Sequence, residues 1–203
     1  MKNYHNYKNL KVLVTGSTGF KGSWLSFWLR KLGAKVTGVG LKPKKEEKIF
    51  NLLNLNKRID QHFINIKDYR KLNNLVKSQK PDIIFHLAAQ SLVSEGYVSP
   101  LETFESNIIG SVNILELTKK YNVPSLVFVS SDKCYLNDNK KKSFKENDVL
   151  GGFDNYSVSK ASAELIFHSY FKSYFDKPKL NVASVRAGNV IGGGDFKKNR
   201  IIP

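Results

Sequence analysis

Cysteine is all but missing from this chain: among 203 residues only Cys134 carries a thiol, so no intramolecular disulfide can form and no cysteine-built metal site is available. No metal is expected. Acidic residues are also few, 17 Asp and Glu against 33 Lys and Arg, which leaves a formal charge of +16. Long apolar runs are absent. A bilayer-spanning helix needs about 20 consecutive apolar residues, and here Gly, Lys or Asn cuts every run well short of that length. The opening stretch MKNYHNYKNLKVLV has neither the apolar centre nor the small-residue cleavage site of a secretory leader. The expectation is a cytoplasmic protein with no membrane partner.

Arginine is rare within the basic set, being confined to Arg30, Arg58, Arg70, Arg186 and Arg200. Base edges and phosphate forks favour Arg over Lys. The densest basic segments, residues 42–48 (broken by Glu46 and Glu47), 140–142 and 197–200, fall in separate loops rather than on one face. Nucleic acid is therefore not an expected partner, in spite of the net charge. A bias towards small anionic ligands is what the charge supports.

What is present is a 41% hydrophobic composition, enough for one well-buried core. Short β-branched runs alternate with longer segments of helical period. Strands are expected near 11–15, 35–39, 61–64, 83–87, 126–130 and 181–186, and helices near 21–32, 69–78, 101–121 and 156–174. In the third of these helices, Leu101, Phe104, Ile108, Val112 and Leu115 recur at steps of three and four and predict one buried stripe. The alternation is that of an α/β fold, a Rossmann-type doubly wound parallel sheet. No internal repeat or low-complexity linker interrupts it.

The first strand, KVLVT, runs directly into GSTGFKG, which sets Gly16, Gly19 and Gly22 in a GxxGxxG turn opening a helix. Glycines there let the backbone approach a pyrophosphate, whose charge meets the free amides of the helix N-terminus. A dinucleotide is the expected cofactor. The second strand ends VTGVGLKPKK without the acid that usually holds the adenosine ribose; Lys42, Lys44 and Lys45 read either as partners for a 2′-phosphate or as a solvated loop, and the residues leave NAD and NADP both open. After the third strand, Asn65 and Asp68 fall near the expected adenine, with Asn65 offering a partner for its exocyclic amine. Small Ala88 and Ala89 end the fourth strand and let a cofactor lie close. His86, on that apolar strand, reads as a structural, hydrogen-bonded histidine rather than a catalytic one.

Two further motifs complete the set. SSDKCY (130–135) closes the fifth strand, and YSVSK puts Tyr156 and Lys160 four apart on one helix face. A lysine ammonium beside a phenol stabilises the phenolate, which suits Tyr156 to general-base work, and Lys160 can also bond the nicotinamide ribose.

Together, KVLVTGSTGFKGSW, IFHLAAQ, VSSDKCY, the ENDxLGGxDxYSxSK pattern over 146–160 and SVRAGNVIGGGD resemble the CDP-glucose 4,6-dehydratase family of extended short-chain dehydrogenases. The matches run over nearly the whole chain. The resemblance implies NAD as cofactor and a nucleotide-sugar substrate, with CDP-glucose converted to the 4-keto-6-deoxy sugar of deoxysugar and O-antigen biosynthesis. It implies that Ser131 bonds the sugar 4-hydroxyl, Tyr156 takes its proton, Lys133 removes the carbon 5 proton and Asp132 protonates the departing 6-hydroxyl. Most relatives that dehydrate other nucleotide sugars carry Glu where Lys133 stands, and lysine is a base only as the neutral amine. The resemblance also implies Thr18, Phe20, Ile66 and Leu87 at the cofactor, Gln90 and Asn189 at the substrate, and Asn107 as a helix-kinking residue. It makes Arg186 part of the segment leading to the substrate half, or a buried structural charge. A homodimer through the helices from Leu101 and Tyr156 is implied as well, with Ile109, Phe167 and Phe171 as apolar contacts.

Two departures stand out. SLVSEGY puts Ser94 and Glu95 where the family has a basic stretch, and relatives continue well beyond Pro203. The division expected is a dinucleotide-binding domain at 1–186 and the start of a substrate-binding domain at 187–203, the chain being truncated. Other readings are an inverting UDP-N-acetylglucosamine 4,6-dehydratase, whose family usually has Met in place of Tyr156, a nucleotide-sugar 4-epimerase, which does not need the Asp-Lys pair, and a truncated cofactor-binding protein without turnover.

Overall fold

The structure, a computed structural model, describes residues 7–44, 48–138, 143–178 and 180–196. Lys45, the basic segments 140–142 and 197–200, and the end of the expected second domain lie outside the described residues.

Six strands form, all but the third where β-branched and apolar residues cluster: β1 (Lys11–Thr15), β2 (Lys35–Gly40), β3 (Asp60–Phe63), β4 (Ile83–His86), β5 (Ser125–Ser131) and β6 (Asn181–Ala187). They pair in parallel in the order β3-β2-β1-β4-β5-β6. The helices are α1 (Phe20–Lys31), α2 (Lys48–Leu52), α3 (Tyr69–Gln79), α4 (Val93–Val98), α5 (Pro100–Phe104), α6 (Gly110–Lys120) and α7 (Asn155–Tyr170). Side chains alternate along each strand, so Val12 and Val14 meet Leu29, Phe50 and Leu55 on the face covered by α1 and α2. Leu13, Ile84, Leu126 and Phe128 point the other way, into Leu72, Val76, Leu115 and Phe167 from α3, α6 and α7. Each such fully buried Leu or Phe contributes roughly 1.5–3 kcal/mol of burial, so this double layer dominates the fold's stability. Val127 and Val129 of β5 are only half-buried, and Val185 of β6 is exposed.

Strand order reverses at β1. Crossovers from β1 run one way and those from β4 the other, so the chain opens a crevice at the C-terminal ends of these two neighbours.

The helix expected over 101–121 is broken into α5, a π-helical turn (Glu105–Ile109) and α6. A π-turn adds a residue to the helical period, so a stripe counted at steps of three and four does not carry through it. The expected stripe fails accordingly: Leu101 is 70% exposed, Phe104, Ile108 and Val112 are half-buried, and only Leu115 reaches the core. The face actually buried is small and polar before the break, with Thr103, Ser106, Asn107 and Ser111. α2 and α4 were not expected at all. Among the described residues no helix is long and apolar enough to cross a membrane, and no group of His, Cys, Asp and Glu is placed to hold a metal.

Candidate active site

The turn after β1 is shaped by two glycines and leaves the third free. Gly16 adopts φ +75°, and a Cβ on it would stand 2.8 Å from the Ala88 nitrogen; one on Gly22 would stand 2.0 Å from the Gly16 oxygen. Both are required by the protein itself. A Cβ on Gly19 would meet only the Gly16 oxygen, at 3.4 Å, and its backbone is extended. The space over Gly19 is open, and the amide end of α1, which begins at Phe20, lies beside it. These are the features of a pyrophosphate cradle. Thr18 is buried over Gly40, which has no room for a side chain, and Ser17 Oγ donates to Gln61 Oε1 at 2.8 Å across Gly38. Phe20 is half-buried and lies near Gly192.

On the adenosine side, Lys42 and Lys44 are exposed beyond β2. Asn65 Oδ1 accepts from the Lys67 amide in a local turn, and Ile66 is buried with its carbonyl held by Asn113 Nδ2 at 2.9 Å. Asp68 caps α3, accepting from the Lys71 amide at 3.0 Å, and so is committed to that helix.

Across the crevice, the Ala88 amide donates to Thr15 Oγ1 (3.2 Å), which lies 2.7 Å from His86 Nδ1. Ser111 Oγ donates to the Asn107 carbonyl (2.7 Å), so it accepts from His86 Nε2–H (3.2 Å) and fixes the tautomer. Burial, then the nearby Lys160 charge, pushes His86 down to about 3. It is a neutral structural bridge, as expected. Asn107, inside the π-turn, accepts from the Gln90 amide (2.8 Å) and donates to the Gln90 carbonyl (3.0 Å) and Ser159 Oγ (2.8 Å). The Gln90 side chain is engaged locally, with Leu92 and Thr103. Leu87, Ala88 and Ala89 line the exit of β4, all half-buried or nearly so.

The remaining expected residues converge from two directions. β5 delivers Ser131, whose Oγ caps a short turn (Asp132–Cys134) by accepting from the Lys133 amide and donates to Asp132 Oδ1 at 3.2 Å. Asp132 and Lys133 are exposed. α7, capped by Asp154, packs against this turn and carries Tyr156 (8% exposed) and Lys160 (6% exposed). Burial, followed by the like charge of Lys21, lowers the Lys160 ammonium to about 8. Asn189 is exposed beyond β6.

Residues 13–196 match the family described as GDP-mannose 4,6 dehydratase. The chain belongs to that family. A curated relative, the CDP-glucose 4,6-dehydratase of Salmonella typhimurium, is 43% identical over 97% of this chain and 56% of its own length. The dTDP-D-glucose 4,6-dehydratase of Dictyostelium discoideum is 33% identical over 95% of this chain and 46% of its own. Among solved structures, the UDP-glucose 4-epimerase of Thermus thermophilus in complex with NAD superposes with a TM-score of 0.75 at 28% identity, covering 90% of this chain and 56% of its own. The chain thus spans about half the length of the curated relatives it matches.

Three features of this dehydratase-family site escaped the sequence reading. α4 packs on the start of α7, where Asn155 Nδ2 donates to the Gly96 carbonyl (3.0 Å), so Ser94 and Glu95 sit on the element beside Tyr156. Lys21 acts on Lys160 across the crevice. Glu164, one turn beyond Lys160, is fully buried against Arg186. No local pattern in the chain signals any of these.

Two predictions follow from the geometry. Gly19→Val should fold normally, as judged by its urea midpoint, yet lose measurable NAD affinity by titration; unchanged affinity would remove the phosphate-cradle assignment. Carbon NMR titration of the Lys160 side chain should give a midpoint at about 8, moved upward in Lys21→Met as a like charge is withdrawn. The unfolded chain holds this proton up to its ordinary value of 10.5, so this group's contribution to stability rises between about pH 8 and 10.5. A midpoint at the ordinary lysine value, or no response to Lys21→Met, would contradict the assignment.

Proposed function

We propose that the chain is the cofactor-binding and catalytic part of a nucleotide-sugar 4,6-dehydratase that takes CDP-glucose, with NAD recycled within each turnover. The observation that carries this reading is the packing of α7, with Tyr156 and Lys160, against the turn that bears Ser131, Asp132 and Lys133. One group suits oxidation at carbon 4 and the other suits elimination across carbons 5 and 6. The cytidine nucleotide and the sugar rest on the Salmonella relative, and NAD rests on the open cradle over Gly19 and on the Thermus structure. Residues 1–186 form the dinucleotide-binding domain in this reading, and residues from 187 begin the substrate-binding part.

When bound, NAD would supply a hydride acceptor for carbon 4 and, once reduced, a hydride donor for carbon 6. The protein's own groups manage the protons and the position. Amides of the first α1 turn would hold the pyrophosphate over Gly19, with Thr18, Phe20, Asn65, Ile66, Leu87, Ala88 and Ala89 as further cofactor contacts. The Lys160 ammonium favours the Tyr156 phenolate and bonds the ribose. Ser131 orients the 4-hydroxyl, and Tyr156 takes its proton. The resulting ketone acidifies carbon 5, Lys133 as neutral amine removes that proton, and Asp132 protonates the leaving 6-hydroxyl; with hydride at carbon 6, the Lys133 ammonium, exchanged with solvent, returns a proton to carbon 5. Water is lost and no net oxidation remains. Gln90 and Asn189 complete the proposed substrate contacts.

A homodimer is part of the proposal. Val158 and Leu165, seven residues apart, share one face of α7 and are 37% and 59% exposed; Leu101 and Ile109 are 70% and 50% exposed. Phe167, expected at that interface, belongs instead to the core at 4% exposure, and Phe171 packs against the same core. The single thiol, Cys134, is free and buried, which fits a cytoplasmic, reducing location.

The chemical test uses the product of the complete reading frame in heavy water with CDP-glucose. A 4-keto-6-deoxy product bearing solvent deuterium at carbon 5 is expected, because elimination must break that bond and a 4-epimerase need not. Tyr156→Phe should slow the first oxidation by about 100-fold or more, the scale of general-base catalysis. Lys133→Ala should permit oxidation and stall elimination. Unlabelled carbon 5, or elimination at the parental rate in Lys133→Ala, would move the assignment to an epimerase or to another base. For the dimer, light scattering at micromolar concentration should report two copies and Ile109→Asp should give monomers; a monomeric parent would end that part of the reading.

A further inference from the structure

The two groups assigned to the reaction come from different segments, one from the turn after β5 and one from α7. Something must hold them in register. Glu164 lies four residues beyond Lys160 on α7 and is fully buried. Its Oε2 accepts from Arg186 Nη2 at 2.9 Å and from Ser184 Oγ at 3.3 Å. Arg186, on β6, donates through Nη1 to the Tyr135 hydroxyl at 2.9 Å and to the Glu146 carbonyl at 2.8 Å. Its guanidinium also lies 4.9 Å from the centre of the Tyr135 ring, and that ring stacks on Phe144 at 4.8 Å.

Tyr135 directly follows the Asp132–Cys134 turn. Leu136 donates to the Val149 carbonyl and Gly151 to the Cys134 carbonyl, so the strand leading from the turn is bound to the segment that enters α7. One guanidinium therefore touches three segments: the exit of the catalytic turn, the approach to α7, and α7 itself. Only a planar fork with several donors can do this at once. Net stabilisation is a weak reason for such an arrangement, since a buried ion pair is commonly matched by apolar residues of similar volume. Setting relative position is the stronger reason.

We propose that Arg186 is a positioning residue that, through Tyr135 and Glu164, fixes the Asp132–Lys133 turn against Tyr156 and Lys160. The role rests on the reading of Asp132 and Lys133 as reacting groups. It makes elimination, which needs both groups in register, more dependent on Arg186 than cofactor binding, whose pyrophosphate contacts lie at the α1 turn, away from Arg186.

Cys134 offers a direct readout on the chain itself, because it is the only cysteine and lies fully buried within the turn. A thiol reagent can label it only when the turn opens. Tyr135→Phe should speed labelling by at least about tenfold, the scale of losing one hydrogen bond to a charged group, with the urea midpoint and NAD affinity nearly unchanged. Arg186→Lys should behave likewise, since an ammonium cannot reach all three segments. With the complete reading frame, both variants should lower elimination more than carbon 4 oxidation. Labelling that rises only as much as global unfolding accounts for, or NAD affinity that falls in step, would overturn the proposal. Elimination at the parental rate in Lys133→Ala would instead remove the reading of the reacting groups, while the labelling result would still report whether Arg186 holds the turn.

Discussion

A Cβ on residue 16 would stand 2.8 Å from the Ala88 nitrogen and 2.9 Å from the Leu87 carbonyl carbon, so the exits of β1 and β4 meet backbone to backbone. Much of the crevice depends on that contact. It brings Thr15 opposite His86 in the parallel register and lets the Thr15 hydroxyl reach both the His86 ring and the Ala88 amide. From His86 the bonding continues through Ser111 to the Asn107 carbonyl, and from the Asn107 amide through Ser159 to the Tyr156 carbonyl. An unbroken run of buried polar groups thus joins the phosphate turn to the backbone of the residue assigned as base. In a low-dielectric interior each link left unmade would cost its full desolvation, which makes the run a constraint on geometry as well as a contribution to stability.

Features written in one segment were legible before the structure. The strand at 11–15 is an apolar run bounded by turn residues, and all six strands were found to within a residue or two. GSTGFKG announced its turn because steric need for glycine is local. His86 was readable as structural because it interrupts an apolar strand. What could not be read depends on partners distant in sequence. At the π-turn the Asn107 side chain pairs with both backbone groups of Gln90 and with Ser159; the family resemblance implied a kink at Asn107, but no count of helical period from Leu101 contains these partners. The misplaced stripe follows directly from it. Asp68 looked available for adenine only until its carboxylate was found capping α3, a local use that its position just before a helix did allow. Arg186 was left between two readings, and its ion pair with Glu164 resolves how its charge is held.

The charge of the chain and the charge of the site obey different rules. Most of the basic side chains among the described residues are exposed, where a cation costs little and attracts anions only weakly through salt. Lys160 is held at 6% exposure, with Lys21 acting on it as a second cation. Keeping a cation there is unfavourable in the protein alone, as its lowered pKa records, and becomes favourable beside a phenolate or an anionic ligand. The site is therefore prepared for negative charge that it does not itself carry.

This also explains why the two supports of the site differ in kind. The run from Thr15 to Ser159 passes close to Lys160, and a charged histidine within it would place another cation beside an ammonium already strained by burial. Burial keeps His86 neutral, so the support nearest the cofactor crevice is built from uncharged hydrogen bonds. On the β6 side the requirement is reversed. Arg186 must hold three separate segments, and a permanent charge with several directed donors does that better than hydroxyls or amides. Its countercharge, Glu164, sits on the same helix as Lys160 and acts to raise that lysine's pKa, opposing Lys21. The ionic support thus fixes the turn and at the same time limits how far the Lys160 ammonium is driven towards its neutral form.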